Sequence, residues 1–233
     1  WSDGIVIIDN WVNHKFAYRM FNPDGSEAEM CWNGIRCYLK YLKYSWLLEE
    51  TSTYVETKKW VLHLSLVDGL VEVDMWKPIL QDEIIPVLPW KREVFSVDKT
   101  FSFTPVSMWN PHSVIFLNEE LKDFGLNKYW KPIESNTDIF PKKVNVEFIK
   151  VNSKNDIDMR VFERWAWETL ACWTWACASV VAWVLNWFLD AWAKVKVHLK
   201  WWDLVISWAW WIDDSVIMRW PAEIVFEGKY FIK

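Results

Sequence analysis

Hydrophobic and polar positions alternate along several short stretches of the chain, and each such stretch predicts a strand. Ile5–Asp9 and Lys15–Met20 are short and rich in β-branched or aromatic residues. Trp60–Leu66 and Leu70–Met75 flank Val67-Asp68-Gly69, a hairpin signal. Thr100–Ser107, Ser113–Leu117, Val144–Val151 and Ile157–Phe162 read as further strands, and Lys194–Leu199, Asp203–Ser207, Ser215–Arg219 and Glu223–Phe226 as a closing antiparallel set. Two stretches change period. Trp32–Leu48 carries Ile35, Leu39, Leu42 and Trp46 at helical spacing. The uncharged run Thr169–Leu189 has small residues and no proline, so it predicts a buried helix with Cys172 in its first turn. Asn118–Leu126 is expected to form a short helix, and the Pro-punctuated residues 79–93 a loop. The fold expected is α+β: two pseudo-symmetric domains, each an antiparallel sheet curled around one central helix, with a cleft between them. The turns at Pro78 and Pro221 place the domains at residues 1–75 with 220–233, and at 77–219.

The long uncharged run also has nearly the length of a membrane span, for which about 20 apolar residues suffice. Acidic residues, Glu168 and Asp190, flank it where basic anchors belong, and it contains Cys, Thr, Ser and Asn. A buried helix is the better reading, with Glu168 placed to favour the helix dipole. The net charge is −5, with both signs spread along the chain, which argues against nucleic acid or an anionic membrane as partner. Four cysteines, none in C-x-x-C spacing, do not make a secreted disulfide framework or a zinc site.

The chemistry concentrates around two of those cysteines. Cys31 and Cys172 both stand where a helix begins and are both followed by tryptophan and a small polar residue. A thiol there feels the positive end of the helix dipole and unpaired backbone N–H groups, which lower its pKa from about 8.5. Two such half-sites predict a duplicated fold with one reactive thiol from each half. Cys37 and Cys177 fall one to two turns later and read as packing residues.

Three motifs carry a resemblance. Phe21-Asn22-Pro23-Asp24-Gly25-Ser26-Glu27 leads to Cys31-Trp32-Asn33-Gly34-Ile35-Arg36-Cys37. Trp109-Asn110-Pro111-His112 follows, and then Glu163-Arg164 through Cys172-Trp173-Thr174-Trp175. In this order and spacing they resemble the diaminopimelate epimerases, from about residue 3 to the end of the chain. The resemblance implies epimerisation of LL-diaminopimelate to the meso isomer, in lysine and peptidoglycan precursor synthesis, by an enzyme that needs no cofactor and no metal.

It implies roles as well. Cys31 and Cys172 are the acid and base on opposite faces of the α-carbon. Backbone N–H groups of Trp32-Asn33 and Trp173-Thr174 hold the carboxylate at the reacting centre. Arg164 and Glu163 take the carboxylate and ammonium of the distal head, with Asn22, Asn110 and Asn145 orienting it. His112 and Glu163 support the thiols. The expected partner is a small amino-acid substrate, the expected assembly a homodimer, and the expected location the cytoplasm, where thiols stay reduced. Proline racemases and phenazine-pathway isomerases share the fold and are the alternative enzymes.

One departure runs through all three motifs. Trp32, Trp109, Trp165, Trp167, Trp173 and Trp175 stand where the family has glycine, and the chain carries 22 Trp against 6 Gly. Glycine serves where φ is positive or where backbone approaches a ligand. Tryptophan there is expected to strain the loops and crowd the substrate, leaving a catalytically impaired variant.

Overall fold

The computed structural model describes residues 4–9, 15–164, 173–186, 193–200, 203–209 and 214–229. They form two compact units: residues 1–74 with 219–233, and residues 75–218.

In the first unit, strand β1 (Ile5–Asp9) pairs antiparallel with β2 (Phe16–Phe21), which also pairs with the two-residue β3 (Glu27–Ala28). Helix α1 (Trp32–Tyr44) follows, then β4 (Ser52–Glu56), β5 (Val61–Val67) and β6 (Leu70–Asp74). β2 and β4 run parallel because α1 carries the chain back between them. β5 and β6 form the hairpin read from sequence; Asp68 and Gly69 both have positive φ, as a type I′ turn requires. Ile35, Tyr38, Leu39 and Leu42 lie on the buried face of α1, which packs on β1, β2, β5 and β6.

The helix stops at Tyr44, earlier than the apolar spacing predicted. Trp46 does not continue its buried stripe. It is 87% exposed, with φ of 60°, and Leu48 is the residue that returns to the core. Cys37 departs from expectation as well: it is exposed, not packed, whereas Cys177 is fully buried.

The second unit begins with the hairpin β7 (Glu93–Ser96) and β8 (Lys99–Ser102), where sequence suggested loop up to residue 93. β9 (Thr104–Ser107) pairs antiparallel with β10 (Pro111–Leu117). The expected helix at Asn118–Leu126 is absent. A 3-10 turn at Leu126–Lys128 and the short helix α2 (Trp130–Glu134) come later instead, where Trp130 and Ile133 can enter the core. β11 (Asn145–Ser153) pairs parallel with β10 after that excursion and antiparallel with β12 (Asp156–Phe162).

Helix α3 (Trp173–Leu185) packs against β9, β10, β11 and β14, and nearly every described residue of it is buried. β13 (Val195–His198) returns parallel to β12, β14 (Asp203–Ser207) pairs antiparallel with β13, and β15 (Ile217–Trp220) follows. No strand forms at Glu223–Phe226. Val225 and Phe226 are more than 80% exposed, so this short apolar run has no described face to pack against. Among the described residues no helix is long and apolar enough to cross a membrane.

His198 fastens three strands of this unit. Its Nδ1 lies 2.6 Å from Asp203 and its Nε2 2.9 Å from Asp156. Burial works against its charge, but hydrogen bonds to the two carboxylates outweigh it and raise the imidazole pKa. Asp156, bonded first by Asn152 and then by His198, is held below the usual carboxylate range. For Asp203, burial works against the charge, but Lys196 and His198 outweigh it and lower the carboxyl's pKa. The His198 contribution is therefore present below the unfolded histidine pKa and fades as pH rises through the raised one. The aspartate contributions fade as pH falls through their lowered ones. His198→Ala is expected to lower the thermal midpoint by more at pH 5 than at pH 9, as calorimetry at the two pH values would read.

Candidate active site

In the first unit the candidates gather at the start of α1. Cys31 is the N-cap, in extended backbone, and its Sγ accepts the Gly34 N–H at 3.5 Å. Cys31 is half-buried and in the free thiol form. Its carbonyl accepts the Ile35 N–H and the Tyr18 hydroxyl, at 2.9 and 3.2 Å. Gly34 is needed here for close approach, since a Cβ at this position would lie 2.3 Å from the Tyr18 oxygen. Burial, reinforced by the neighbouring cysteines, pushes the Tyr18 phenol well above its ordinary pKa. Tyr18 thus remains a neutral donor beneath the cap.

Trp32 and Asn33 open the helix, and Asn33 accepts a hydrogen bond from Arg36 at 3.1 Å. Asn22 sits in the turn before β3. Its Nδ2 donates to Ser26 Oγ at 3.0 Å, and its carbonyl accepts the Gly25 N–H. The side chain is therefore already bonded within its own turn.

In the second unit the structure brings together Asn110, His112, Asn145, Arg164 and Thr174. The parallel register sets His112 directly beside Asn145, and β12 ends at Phe162, opposite Val146, with Glu163 and Arg164 following it. Asn145 is buried, and its Oδ1 accepts the Arg164 backbone N–H at 2.8 Å, which fixes the strand end. One Arg164 nitrogen donates to the Lys142 carbonyl at 3.2 Å. Glu163 is half-buried beside it. Asn110 Nδ2 reaches Thr174 Oγ1, in the first described turn of α3, at 3.4 Å.

His112 is fully buried. Its Nε2 lies 2.8 Å from Asn110 Oδ1 and its Nδ1 2.6 Å from Glu147 Oε1. Glu147 belongs to none of the motifs, although a signal was present: it is the one acidic residue in the otherwise uncharged run Val144–Ile149, and the first five residues of β11 are buried. Burial pushes the Glu147 carboxyl up.

Cys172, Trp165, Trp167 and Glu168 lie outside the described residues. Trp173 is buried at the start of α3. Trp109, beside Asn110, is 64% exposed and packs edge-on against Trp76, with ring centroids 6.1 Å apart. Among the described residues no group of three His, Cys, Asp or Glu is placed to hold a metal ion.

The sequence and the fold are similar to those of known proteins. The family model for diaminopimelate epimerase matches residues 104–219. A diaminopimelate epimerase from Methanococcus maripaludis is 42% identical over 238 residues, covering 98% of this chain and 84% of its own length. One from Acetivibrio thermocellus is 44% identical over 239 residues, covering 98% of this chain and 83% of its own. Two solved structures share the fold at low identity. A phenazine biosynthesis protein of the PhzF family from Bacillus anthracis has a TM-score of 0.64 at 14% identity, covering 99% of this chain and 85% of that one. A hydroxyproline epimerase from Agrobacterium vitis has a TM-score of 0.57 at 10% identity, covering 93% and 70%. The relatives' identity holds over nearly the whole length of this sequence, and the chain belongs to the diaminopimelate epimerase family.

Proposed function

We propose that this protein epimerises LL-diaminopimelate to meso-diaminopimelate with two thiols and no cofactor. The observation that carries the reading is Cys31 as the N-cap of α1. Its sulfur accepts the Gly34 N–H at the N-terminus of the helix, where the helix dipole favours negative charge. In the reaction one thiolate, Cys31 or Cys172, takes the α-proton, and the electron pair left on carbon delocalises into the carboxylate. Backbone N–H groups at Trp32-Asn33 and Trp173-Thr174 stabilise that charge. The other thiol then gives its proton to the opposite face. The cysteines exchange roles in the reverse direction, and no atom is gained or lost beyond the exchanged proton.

Glu163 and Arg164 bind the distal ammonium and carboxylate, with Asn22, Asn110 and Asn145 as neutral partners and His112 supporting the thiols. A two-headed substrate suits this set better than proline does, which favours diaminopimelate over the racemase reading. The two compact units are the two epimerase halves, and the working assembly is a cytoplasmic homodimer with neither nucleic acid nor membrane as partner.

The test is incubation with LL-diaminopimelate in D2O. Proton NMR should show deuterium entering the α-carbon as the meso isomer forms. Exchange of proline, and none of diaminopimelate, would replace this reading with the racemase.

A further inference from the structure

We propose that the tryptophans at left-handed backbone positions occupy places built for glycine, and that the cell makes the protein with glycine there. Among the described residues, eight non-glycine residues have positive φ, and four are tryptophan: Trp46, Trp76, Trp90 and Trp109, at 60–70°. No other residue type occurs twice in that set. Gly69 and Gly125, at 80° and 69°, share the same region, which side chains with a Cβ rarely enter.

The surrounding hydrogen bonds name the turns. After α1, the Leu47 N–H bonds the Leu42 carbonyl at 3.0 Å and the Trp46 N–H bonds that of Lys43 at 3.3 Å. This is a Schellman ending with Trp46 at the position glycine usually fills. At Leu88-Pro89-Trp90-Lys91 the Lys91 N–H bonds the Leu88 carbonyl at 3.2 Å. Proline at the second position and positive φ at the third define a type II turn, whose third residue is characteristically glycine.

Burial separates a second group. Trp175 and Trp183 are fully buried, and among the described residues their indole N–H groups find no hydrogen-bond partner, which buried tryptophans normally have. Trp130 and Trp208 behave as tryptophan should. Trp130 stacks on Phe162 at 5.1 Å and 9°, and Trp208 Nε1 donates to the Asp214 carbonyl at 3.0 Å. One cause accounts for the whole pattern: UGA codons, which genetic codes assign differently, are decoded here as glycine and not as tryptophan, while the UGG codons remain tryptophan.

Peptide mass spectrometry of the protein purified from its own host tests this. Peptides spanning residues 46, 76, 90, 109 and 175 are expected to be lighter by the indole side chain at each position, and those spanning 130 and 208 unchanged. Tryptophan masses at residues 46, 76, 90, 109 and 175 would overturn the proposal. Recombinant protein gives a second reading. Trp90→Gly should raise the melting midpoint by about 2–4 °C, and Trp90→Ala should not. Equal effects would remove the conformational argument. Both readings are independent of catalysis, so a protein that carries glycine and yet exchanges no α-proton would overturn the epimerase reading alone.

A separate observation concerns Glu147, and it rests on the proposed function. The structure assigns Glu147 as a positioning residue. His112 Nε2 faces the Asn110 carbonyl oxygen, so it carries hydrogen, and the proton between Nδ1 and Glu147 Oε1 is shared by that pair. With Nε2–H fixed, the Asn110 amide is fixed too, its Nδ2 directed at Thr174 and the start of α3.

Nitrogen-15 NMR of the His112 ring should show the hydrogen on Nε2, facing Asn110. Glu147→Gln, which can donate to Nδ1, should keep that state and most of the exchange rate. Glu147→Leu should release the tautomer and slow α-proton exchange more than tenfold through kcat. An unprotonated Nε2 in the unaltered protein, or equal damage from both variants, would overturn the assignment. The ring signature does not depend on the substrate's identity.

Discussion

Replacing Cys31 with serine is expected to slow α-proton exchange by a factor of about 10²–10⁴, the usual worth of a positioned acid or base, while the fold remains as stable as before. The two halves of that expectation have separate causes. Sγ accepts the Gly34 N–H, and a serine hydroxyl performs that cap at least as well, since serine is among the preferred N-cap residues. A hydroxyl is a far weaker acid than a thiol, so the anionic form that takes the α-proton is lost. Exchange in D2O and the melting midpoint, read on the same preparation, separate the two. Unchanged exchange would remove Cys31 from the chemistry. A large fall in both would show that sulfur is needed for packing. Alanine is the less informative variant because it removes cap and thiol together.

The largest effect on stability is expected at Trp130. Its ring is 2% exposed, lies flat against Phe162, and sits among Ile85, Phe101, Phe140 and Phe148 in the core of the second unit. Trp130→Ala removes that contact surface and leaves a cavity in the core. The cost is about 3–5 kcal/mol, read as a fall in the urea midpoint with little change in slope. Trp46→Ala, at 87% exposure, should cost nothing comparable. The two variants thereby test whether tryptophans in this chain divide into packed and unpacked kinds.

Much of this architecture was legible in the sequence because it follows from periodicity. The β5–β6 hairpin was marked by alternation on either side of Asp68-Gly69, and the start of α1 by Cys31 before an amphipathic run. Errors arose where side-chain type misrepresented backbone state. Trp46 matched the apolar spacing of the helix, yet its left-handed φ ends that helix. Val225 and Phe226 read as a strand although nothing in the described structure covers them. The site was legible through its motifs, residue by residue, but its wiring was not. Glu147 belongs to no motif, and only the parallel pairing of β10 with β11 brings it to His112.

The division of the chain also bears on its synthesis. The first unit is made from residues at both ends: the Arg36 guanidinium, on α1, donates to the Pro221 carbonyl, and Arg219 bonds Glu72 at 2.5 Å. Trp220 and Ala222 are buried in it. Residues 75–218, by contrast, are contiguous. On the ribosome the N-terminal half therefore emerges first and closes last. It waits with part of its apolar surface uncovered until residue 222 has left the exit tunnel, while the unit behind it can already fold. The interval in which the nascent chain most needs protection from aggregation is set by the length of the second unit, not of the first.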